Sequence, residues 1–418
     1  MRDLLNRLSQ ASNNGCLEVV NQLLADDKVC AHAAARDNEA LMLAALNGHL
    51  DVVNRLLEVQ VVIDHAVARN NFALQLAAQN GHLDVVHRLL HIPAVSAHAA
   101  AQDNEALKLA AQNGHLDVVH RLLHIPGVSA HAVAQDNWVL KFAAQKGYLS
   151  IVNRLLEIQG VMTHAAAQDN FALRVAAKRG HLEVVNRLLE IPGVMAHAAA
   201  QNNEVLGWVA KHGHLAIINR LFEIQEVMTH AAAHDNLALA VAAQNGHLDV
   251  VKRLLEIQVV QDNAAAQDNR ALRVAAQNEQ LGIVNRLLHI PAVIANAAVD
   301  GSLVLKLEVE NGHLAIVKKL LTVPSVRAMA RHLDDAVIRG AAYRGDSEIV
   351  YGLVKAKWPE GGMHGISEEM KSYVRPQIAI VQASLFWHKI LRNSRFTGMD
   401  YLGPEGDISE LLIGPGMR

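Results

Sequence analysis

The sequence predicts an all-α fold, an elongated α-solenoid of about eleven 33-residue helix-turn-helix repeats with a helical C-terminal cap. Three observations predict it. The motif Asn47-Gly48-His49-Leu50 returns every 33 residues over roughly the first 350 residues. Apolar residues between the turns follow helical spacing, and aromatic residues make up only 4% of the chain. A fixed period of this size is typical of solenoids, in which each unit buries its apolar face against its neighbours.

Each copy begins with a helix that follows a recurrent asparagine. In the copy that starts at Asp103, Asn104 precedes apolar residues at helical spacing. Its side chain has the chemistry of a helix N-cap, so we expect it to accept from the first free N–H groups. We expect Gly114 to end this helix, because glycine tolerates the left-handed conformation of such turns.

The second helix runs from Leu116 to about Ile125. Its Asp117 and Arg121 are four residues apart, the favourable order for a surface ion pair. Equivalent arginines form a row, which we interpret as a solvated face and not as a site for an anionic partner. In the connector a recurrent valine is followed four residues later by alanine, as in Val128 and Ala132. This spacing predicts a short third helix instead of a β-hairpin.

Fourteen of the 24 histidines form two ladders. One follows the turn glycine (His49, His82, His115, His181, His214, His247, His313), and the other lies in the connectors (His32, His65, His98, His131, His164, His197, His230). We interpret both as structural hydrogen bonds to backbone. Packed helices lie ~8–10 Å apart, too far for equivalent histidines to share one zinc ion. If the rings are buried, acid should destabilise the fold.

Bulk composition excludes several functions. The formal net charge of −3 gives no global basic field for nucleic acid or anionic membrane. The chain has two cysteines and no recognisable signal peptide or membrane span, which predicts a reducing, cytoplasmic location. Motifs for a metal, a cofactor or catalysis are not recognisable. We therefore expect a monomeric, non-enzymatic protein.

The segment NGHLDVVNRLLE, preceded by ALQLAAQ-type sequence, resembles the core of the ankyrin repeat. This resemblance implies a stack of helix pairs whose first helices line a concave groove that binds a protein partner. The family's Thr-Pro-Leu-His opening and Gly-Ala-Asp loop are replaced here, so contacts through hairpin fingers are not expected. The Asn-Glu-Ala-Leu, alanine-rich style also resembles ankyrin proteins that intracellular bacterial pathogens deliver into the host cytosol.

In a repeat array, we expect functional residues at the positions where the copies differ in sequence. Positions one, four and eight after the recurrent asparagine share one face of the first helix and vary most. Aromatic and basic side chains dominate binding hot spots. We therefore predict these partner-binding residues: Phe72, Lys108, Trp138, Lys141, Phe171, Arg174 and Lys178. Trp208 and Phe142 fall on a core position, where we expect packing.

The sequence predicts two regions, a repeat array over 1–352 and a C-terminal cap or tail over 353–418. Copies near 279–310 are irregular, because Glu279 replaces the turn glycine, Glu308 replaces an apolar residue and Asp300-Gly301 interrupts the connector. We expect a weak joint there. The tail is predicted helical from Ser367 to about Asn393, interrupted by Pro376. An alternative function is a scaffold that recruits a partner to a regulatory or enzymatic tail.

Overall fold

A computed structural model describes residues 1–299, 301–358 and 367–393, and the regular elements in these ranges are helices. The chain divides into two compact units, Met1–Val293 and Ile294–Arg418. In the first unit each repeat contributes a first helix, a second helix and a short connector helix. The prediction of an all-α, ankyrin-like repeat architecture with helical connectors is confirmed.

The first helices are α1 (Arg2–Asn13), α4 (Ala35–Leu46), α7 (Ala68–Gln79), α10 (Ala101–Asn113), α13 (Ala134–Lys146), α16 (Ala167–Arg179), α19 (Ala200–His212), α22 (Ala233–Gln244) and α25 (Ala266–Gln277). The second helices are α2 (Leu17–Leu24), α5 (Leu50–Leu56), α8 (Leu83–Leu90), α11 (Leu116–Leu123), α14 (Leu149–Leu156), α17 (Leu182–Leu189), α20 (Leu215–Leu221), α23 (Leu248–Leu254) and α26 (Leu281–Leu287). The connector helices are α3 (Asp27–Ala31), α6 (Gln60–Asp64), α9 (Pro93–Ala97), α12 (Pro126–Ala130), α15 (Gln159–Thr163), α18 (Pro192–Ala196), α21 (Gln225–Thr229) and α24 (Gln258–Asp262).

The core of the first unit is aliphatic. Leu107 on the first helix and Val119 and Leu122 on the second are at most 1% exposed. Ala110 and Ala111 are fully buried, and first helices of neighbouring copies contact one another. Alanine at these positions lets the helices approach closely, which is why the repeats need so few aromatic residues.

The recurrent asparagine does not cap its helix, so that prediction was wrong. Gln102, Asp103 and Asn104 instead form a turn of left-handed backbone with φ of 52°, 55° and 66°. Asn104 is fully buried and donates from Nδ2 to the carbonyl of Val128 at 2.8 Å. The same bond recurs in eight copies and ties the start of each first helix to the following connector.

The turn glycines have positive φ, as predicted, for example 78° at Gly147. A second requirement was not anticipated. A Cβ on Gly147 would lie 2.6 Å from Nδ1 of His181, the ladder histidine of the next copy. Glycine is therefore needed both for the backbone conformation and for the space that this ring fills. Glu279, where glycine is replaced, keeps the left-handed conformation with φ of 57°.

The second unit has a different local structure. Its helices are the end of α27 (Pro291–Val299), α28 (Gly301–Asn311), α29 (Leu314–Thr322), α30 (Pro324–Met329), a 3-10 helix at Ala330–His332, α31 (Asp335–Arg344), α32 (Ser347–Lys357) and α33 (Glu368–Asn393). The buried carboxylate of Glu308 accepts from Nδ1 of His313 at 2.8 Å. The prediction that Pro376 interrupts the last helix was wrong, because α33 continues through it. The segment 396–418, whose glycines and prolines predict loose order, lies outside the described residues.

The two compact units divide at residue 293, inside the segment predicted to be a weak joint. The predicted boundary after residue 352 concerns where the repeats end and stays a prediction.

We expect backbone amides of 279–299 to exchange with deuterium faster than those of 41–136, because Glu279 keeps a left-handed φ that glycine tolerates better. Exchange measured by mass spectrometry at equal rates in both segments would contradict a weak joint.

Candidate aromatic–basic interaction surface

The first-helix positions that vary between copies are not equally open. Among the residues at position one after the asparagine, Trp138 is the most accessible, with 39% of its surface exposed. Position four is largely internal, since Lys108 and Lys141 are only 8% and 4% exposed. The expectation that positions one, four and eight share one open face was therefore wrong for position four. This side chain enters the interface with the next copy.

Lys141 is a buried cation with a defined setting. Its Nζ donates to Oε1 of Gln168 at 2.7 Å, and Nε2 of Gln168 donates to Oδ2 of Asp136 at 2.8 Å. Burial lowers the pKa of Lys141 from its ordinary value, an effect that Asp136 partly offsets. The ammonium also lies 5.9 Å from the ring centroid of Trp138 and 5.4 Å from that of Phe171.

These contacts continue across three successive first helices. We call the resulting surface the aromatic–basic strip, formed by Trp138, Lys141, Phe171, Arg174, Lys178, Trp208 and Lys211 on α13, α16 and α19. Trp138 also meets Phe142 edge to face, with ring centroids 4.9 Å apart. Arg174 lies 5.9 Å from the Phe171 centroid and pairs with Glu204 at 2.6 Å. Cations over aromatic faces attract the ring quadrupole, which orders both partners.

Trp208 was expected to be a core residue, but the structure places it in the strip. It is half-buried, and Nζ of Lys178 lies 3.8 Å from its ring centroid. Nζ of Lys211 lies 5.7 Å from the same ring. The missed signal was a pair of lysines at equivalent positions of neighbouring copies, with the tryptophan three residues before the second.

The strip coincides with a local excess of positive charge. Helices α13, α16 and α19 carry six Lys and Arg against three Asp and Glu, whereas α4, α7 and α10 carry three against four. The pKa of His212 is lowered from its ordinary value by burial first, and then by His214, Lys211, Lys178 and Arg179. Protonation of His212 is thus disfavoured by burial first and then by the positive potential of neighbours such as Lys211 and Lys178.

Two predicted site residues lie outside the strip. Phe72 is half-buried on α7, and ring contacts within the described chain do not link it to Trp138. Lys108 on α10 is internal, with Nζ 3.4 Å from Oε1 of Gln135 and 3.5 Å from Oε2 of Glu105. The structure thus brings together Trp138, Lys141, Phe171, Arg174 and Lys178, and separates Phe72 and Lys108 from them.

The arginine row is an ion-paired face, but its partners differ from those predicted. Arg187 pairs through Nη1 with Glu190, three residues later, at 3.0 Å. Its Nε donates to Oδ1 of Asn153 in the preceding copy at 2.9 Å. Equivalent pairs with a glutamate three residues later occur at Arg55, Arg154, Arg220 and Arg253. The arginines therefore connect copies as well as pairing within them.

Both histidine ladders make the predicted backbone bonds, whereas His313, the last member of the first ladder, bonds to the carboxylate of Glu308. Nε2 of His181 bonds to the carbonyl of Gln145 in the preceding copy at 3.0 Å, whereas Nδ1 of His98 bonds to the carbonyl of Ala94 in its own connector at 2.9 Å. The first-ladder rings with these inter-copy bonds are half-buried and the connector rings are exposed. The premise of the acid-sensitivity prediction, burial of the rings, is therefore not met.

These features define a tandem-repeat protein in which helix pairs stack in series and neighbouring copies are joined by recurrent side-chain bonds. Six overlapping windows match a family model described as ankyrin repeats in three copies, at 8–103, 41–136, 107–199, 140–231, 206–298 and 239–328. The chain therefore belongs to the ankyrin-repeat family. Ankyrin repeats are protein–protein interaction modules and are typically non-enzymatic.

One solved structure similar to this chain is that of an ankyrin repeat family protein from Legionella pneumophila. The two sequences are 24% identical, the match covers 62% of this chain and 81% of that one, and the TM-score is 0.32. No curated protein matches this sequence.

None of the helices described in the chain combines the length and the apolar character that a membrane crossing requires. Among the described residues, no three His, Cys, Asp or Glu side chains are grouped to hold one metal ion.

Proposed function

We propose that this protein is a non-enzymatic binding module that grips a protein partner with the aromatic–basic strip. The observation that carries the proposal is two groups of ring and cation contacts on successive first helices. In one, Lys141 lies over Trp138 and Phe171, and in the other Lys178 lies over Trp208. Rings held by neighbouring cations lose little side-chain freedom on binding, which favours them as anchors. Phe72 offers a separate anchor at the same position of an earlier first helix.

The charge of the strip indicates the chemistry of the partner. Arg174 is already paired with Glu204, whereas Lys178 and Lys211 both lie over the ring of Trp208. An acidic segment with an apolar side chain would complement both the ammonium groups and the exposed edge of Trp138. Such electrostatic complementarity acts mainly on association rate and specificity, so binding should weaken as salt concentration rises.

The test compares a pull-down by the intact chain with one by Trp138→Ala/Phe171→Ala. We expect the variant to lose its specific prey, because removing a hot-spot aromatic costs about 2 kcal/mol or more, roughly thirtyfold in Kd. Tyr343→Ala serves as the matched control, since Tyr343 is 71% exposed and lies on α31. Equal recovery of all prey by the intact chain and both variants would contradict the proposal.

Charge is tested separately with Lys178→Glu/Lys211→Glu. Lys28→Glu/Lys252→Glu makes the same formal charge change at exposed positions outside the strip. We expect the first variant alone to weaken binding of the recovered partner and to flatten its salt dependence. If both variants weaken binding equally, net charge and not the strip governs the interaction.

The Asn-Glu-Ala-Leu style of the repeats supports a further part of this proposal, that the protein is a monomeric bacterial effector acting in a host cytosol. The alternative, recruitment to a functional tail, is favoured by the exposed Ile380 and Leu385 on α33, at 54% and 55% exposure. The charged variant Ile380→Asp/Leu385→Asp distinguishes them. Under either hypothesis this variant should keep its binding through the aromatic–basic strip. It should lose its cellular effect only if the tail is functional.

A further inference from the structure

Two second helices are set apart because each has histidine at two positions four residues apart. In α14 the two positions are Asn153 and Glu157, the residue directly after the helix. The equivalent residues are His87 and His91 at α8, and His120 and His124 at α11. The four imidazoles line one open groove of about 1060 Å³, together with His115 and Asp117. Neither the family nor the proposed function accounts for this substitution, so the groove raises a separate question of what it binds.

His120 on α11 and His124 directly after it lie on one helical face. They are four residues apart, and their ring centroids are 4.6 Å apart. His124, the residue after the helix, has φ of −73° and ψ of −10°, so helical geometry continues through it. Histidines at this spacing can direct one nitrogen each to a single metal ion, which requires nitrogens ~2.0–2.1 Å from it.

The tautomer of His124 is fixed by a bond to the backbone carbonyl of His120. Its Nδ1 lies 2.7 Å from the carbonyl oxygen of His120, and a carbonyl only accepts, so Nδ1 carries the proton. The lone pair is therefore on Nε2. A metal-binding imidazole usually donates its other N–H to a carbonyl or carboxylate in this way, which orients the ring and raises its basicity.

The pair on α8 has the same spacing but is held differently. Nε of Arg121 donates to Nδ1 of His87 at 3.2 Å, which occupies the lone pair of that ring. The equivalent donor one copy later, Nε of Arg154, has no hydrogen-bond partner among the described residues. His120 is therefore not engaged in the corresponding bond, and its lone pair is available.

The charges around the α11 pair partly offset one another. Arg121 on the same helix opposes a bound cation, whereas Asp117 lies one turn before His120 on the same helix and favours it. Arg154, on the following second helix, is already paired with Glu157 at 2.6 Å. Because three ligands do not converge anywhere in the described chain, any ion here would keep water in its remaining positions.

We propose that His120 and His124 form a two-histidine surface site for a divalent transition-metal ion. Imidazole ligands select ions of intermediate softness such as Ni²⁺, Cu²⁺ and Zn²⁺ over Mg²⁺ and Ca²⁺. A bound ion would link the last turn of α11 to the residue that follows it and stabilise that turn. The proposal is independent of the aromatic–basic strip.

The test uses Ni²⁺ alone with the full chain, by calorimetric titration and by thermal unfolding. His120→Asn/His124→Glu installs the residue types found at the equivalent positions Asn153 and Glu157. His98→Asn/His131→Asn is the matched control, because it also removes two imidazoles and Asn263 is already tolerated at that connector position. We expect the first variant to weaken the tightest Ni²⁺ site at least tenfold and to abolish the Ni²⁺-induced rise in Tm, while the control retains both.

A third variant, Arg121→Ala, frees Nδ1 of His87 and should add a second Ni²⁺ equivalent of similar affinity. Single His124→Glu serves if the double variant is poorly folded by circular dichroism. If the His120/His124 variant and the control lose Ni²⁺ affinity equally, the proposal is overturned, because any exposed histidines would then bind the ion equally well. The proposal is also overturned if the wild-type chain does not bind one equivalent of Ni²⁺ tightly.

Discussion

Asn170→Asp is expected to destabilise the repeat array by about 3–5 kcal/mol at pH 7, the range found when a buried charge is left unpaired. Asn170 is 1% exposed and donates from Nδ2 to the carbonyl of Val194 at 2.7 Å. An aspartate would place a carboxylate oxygen against that carbonyl oxygen. Its other oxygen would gain nothing, because Oδ1 of Asn170 has no hydrogen-bond partner in the described chain.

The pH dependence of this variant has a definite sign. Burial disfavours the charged form and raises the pKa of the new carboxyl above its unfolded value of ~3.9. The stability supplied by the protonated form is fully present below the unfolded pKa and is lost as pH rises through the folded pKa. A protonated aspartic acid can also donate to Val194. The deficit should therefore shrink as the pH falls from 7 toward 4.

Urea unfolding followed by circular dichroism, at several pH values, measures both effects. Asn113→Asp is the matched control, because Asn113 is exposed and donates from Nδ2 to the carbonyl of Leu109 at 2.8 Å. It should cost less than about 1 kcal/mol, the size of an unfavourable charge at a helix C-terminus. If the two substitutions lower the free energy of unfolding by similar amounts, the bonds of the buried asparagines do not stabilise the connectors.

Gly147→Ala is expected to cost about 2–3 kcal/mol, from left-handed backbone and a lost hydrogen bond. The added Cβ would lie 2.6 Å from Nδ1 of His181, so the ring must move. Its bond to the carbonyl of Gln145, now 3.0 Å, would be lost with that movement. Glu279 has φ of 57° at the equivalent position, so the conformation alone does not forbid a side chain. The copy after Glu279 has its own ladder histidine, His313, but that ring bonds to the carboxylate of Glu308, whereas His181 bonds to the carbonyl of Gln145 beside Gly147.

The control is Gly193→Ala in connector helix α18. A Cβ there meets nothing within 4 Å, and its φ is not in the left-handed region. Alanine in place of a helical glycine should stabilise the protein by up to about 1 kcal/mol. Thermal unfolding of both variants measures the contrast. If Gly147→Ala unfolds at the wild-type temperature, the histidine ladder does not couple neighbouring copies.

The predictions that succeeded depend on local sequence. The helix pairs, the helical connector around Val128 and the left-handed turn at Gly114 follow from spacings of a few residues and from the conformational freedom of glycine. The wrong N-cap prediction has a physical reason too. Asparagine is both a capping residue and one that tolerates left-handed backbone, and Asn104 uses the second property.

The candidate site was only partly predictable. Trp138, Phe171, Arg174 and Lys178 were predicted because the copies vary there, and their role in binding stays a prediction. Trp208 was missed because helical spacing assigned it to the core, and Lys108 was misplaced because its position enters the interface between copies. Helical periodicity predicts which side chains share a face of one helix, but not which helix of the next copy covers that face.

The amino-acid sequence by itself determined the period, the helices and the family of this protein. Only the tertiary structure decided which side chains meet between copies. Those bonds join residues 24, 27, 34 and 36 positions apart, as in Asn137 to Val161, Lys141 to Gln168, Arg187 to Asn153 and His181 to Gln145. A repeat of 33 residues fixes equivalent positions, whereas these offsets depend on how far each copy is shifted along its neighbour, which packing sets.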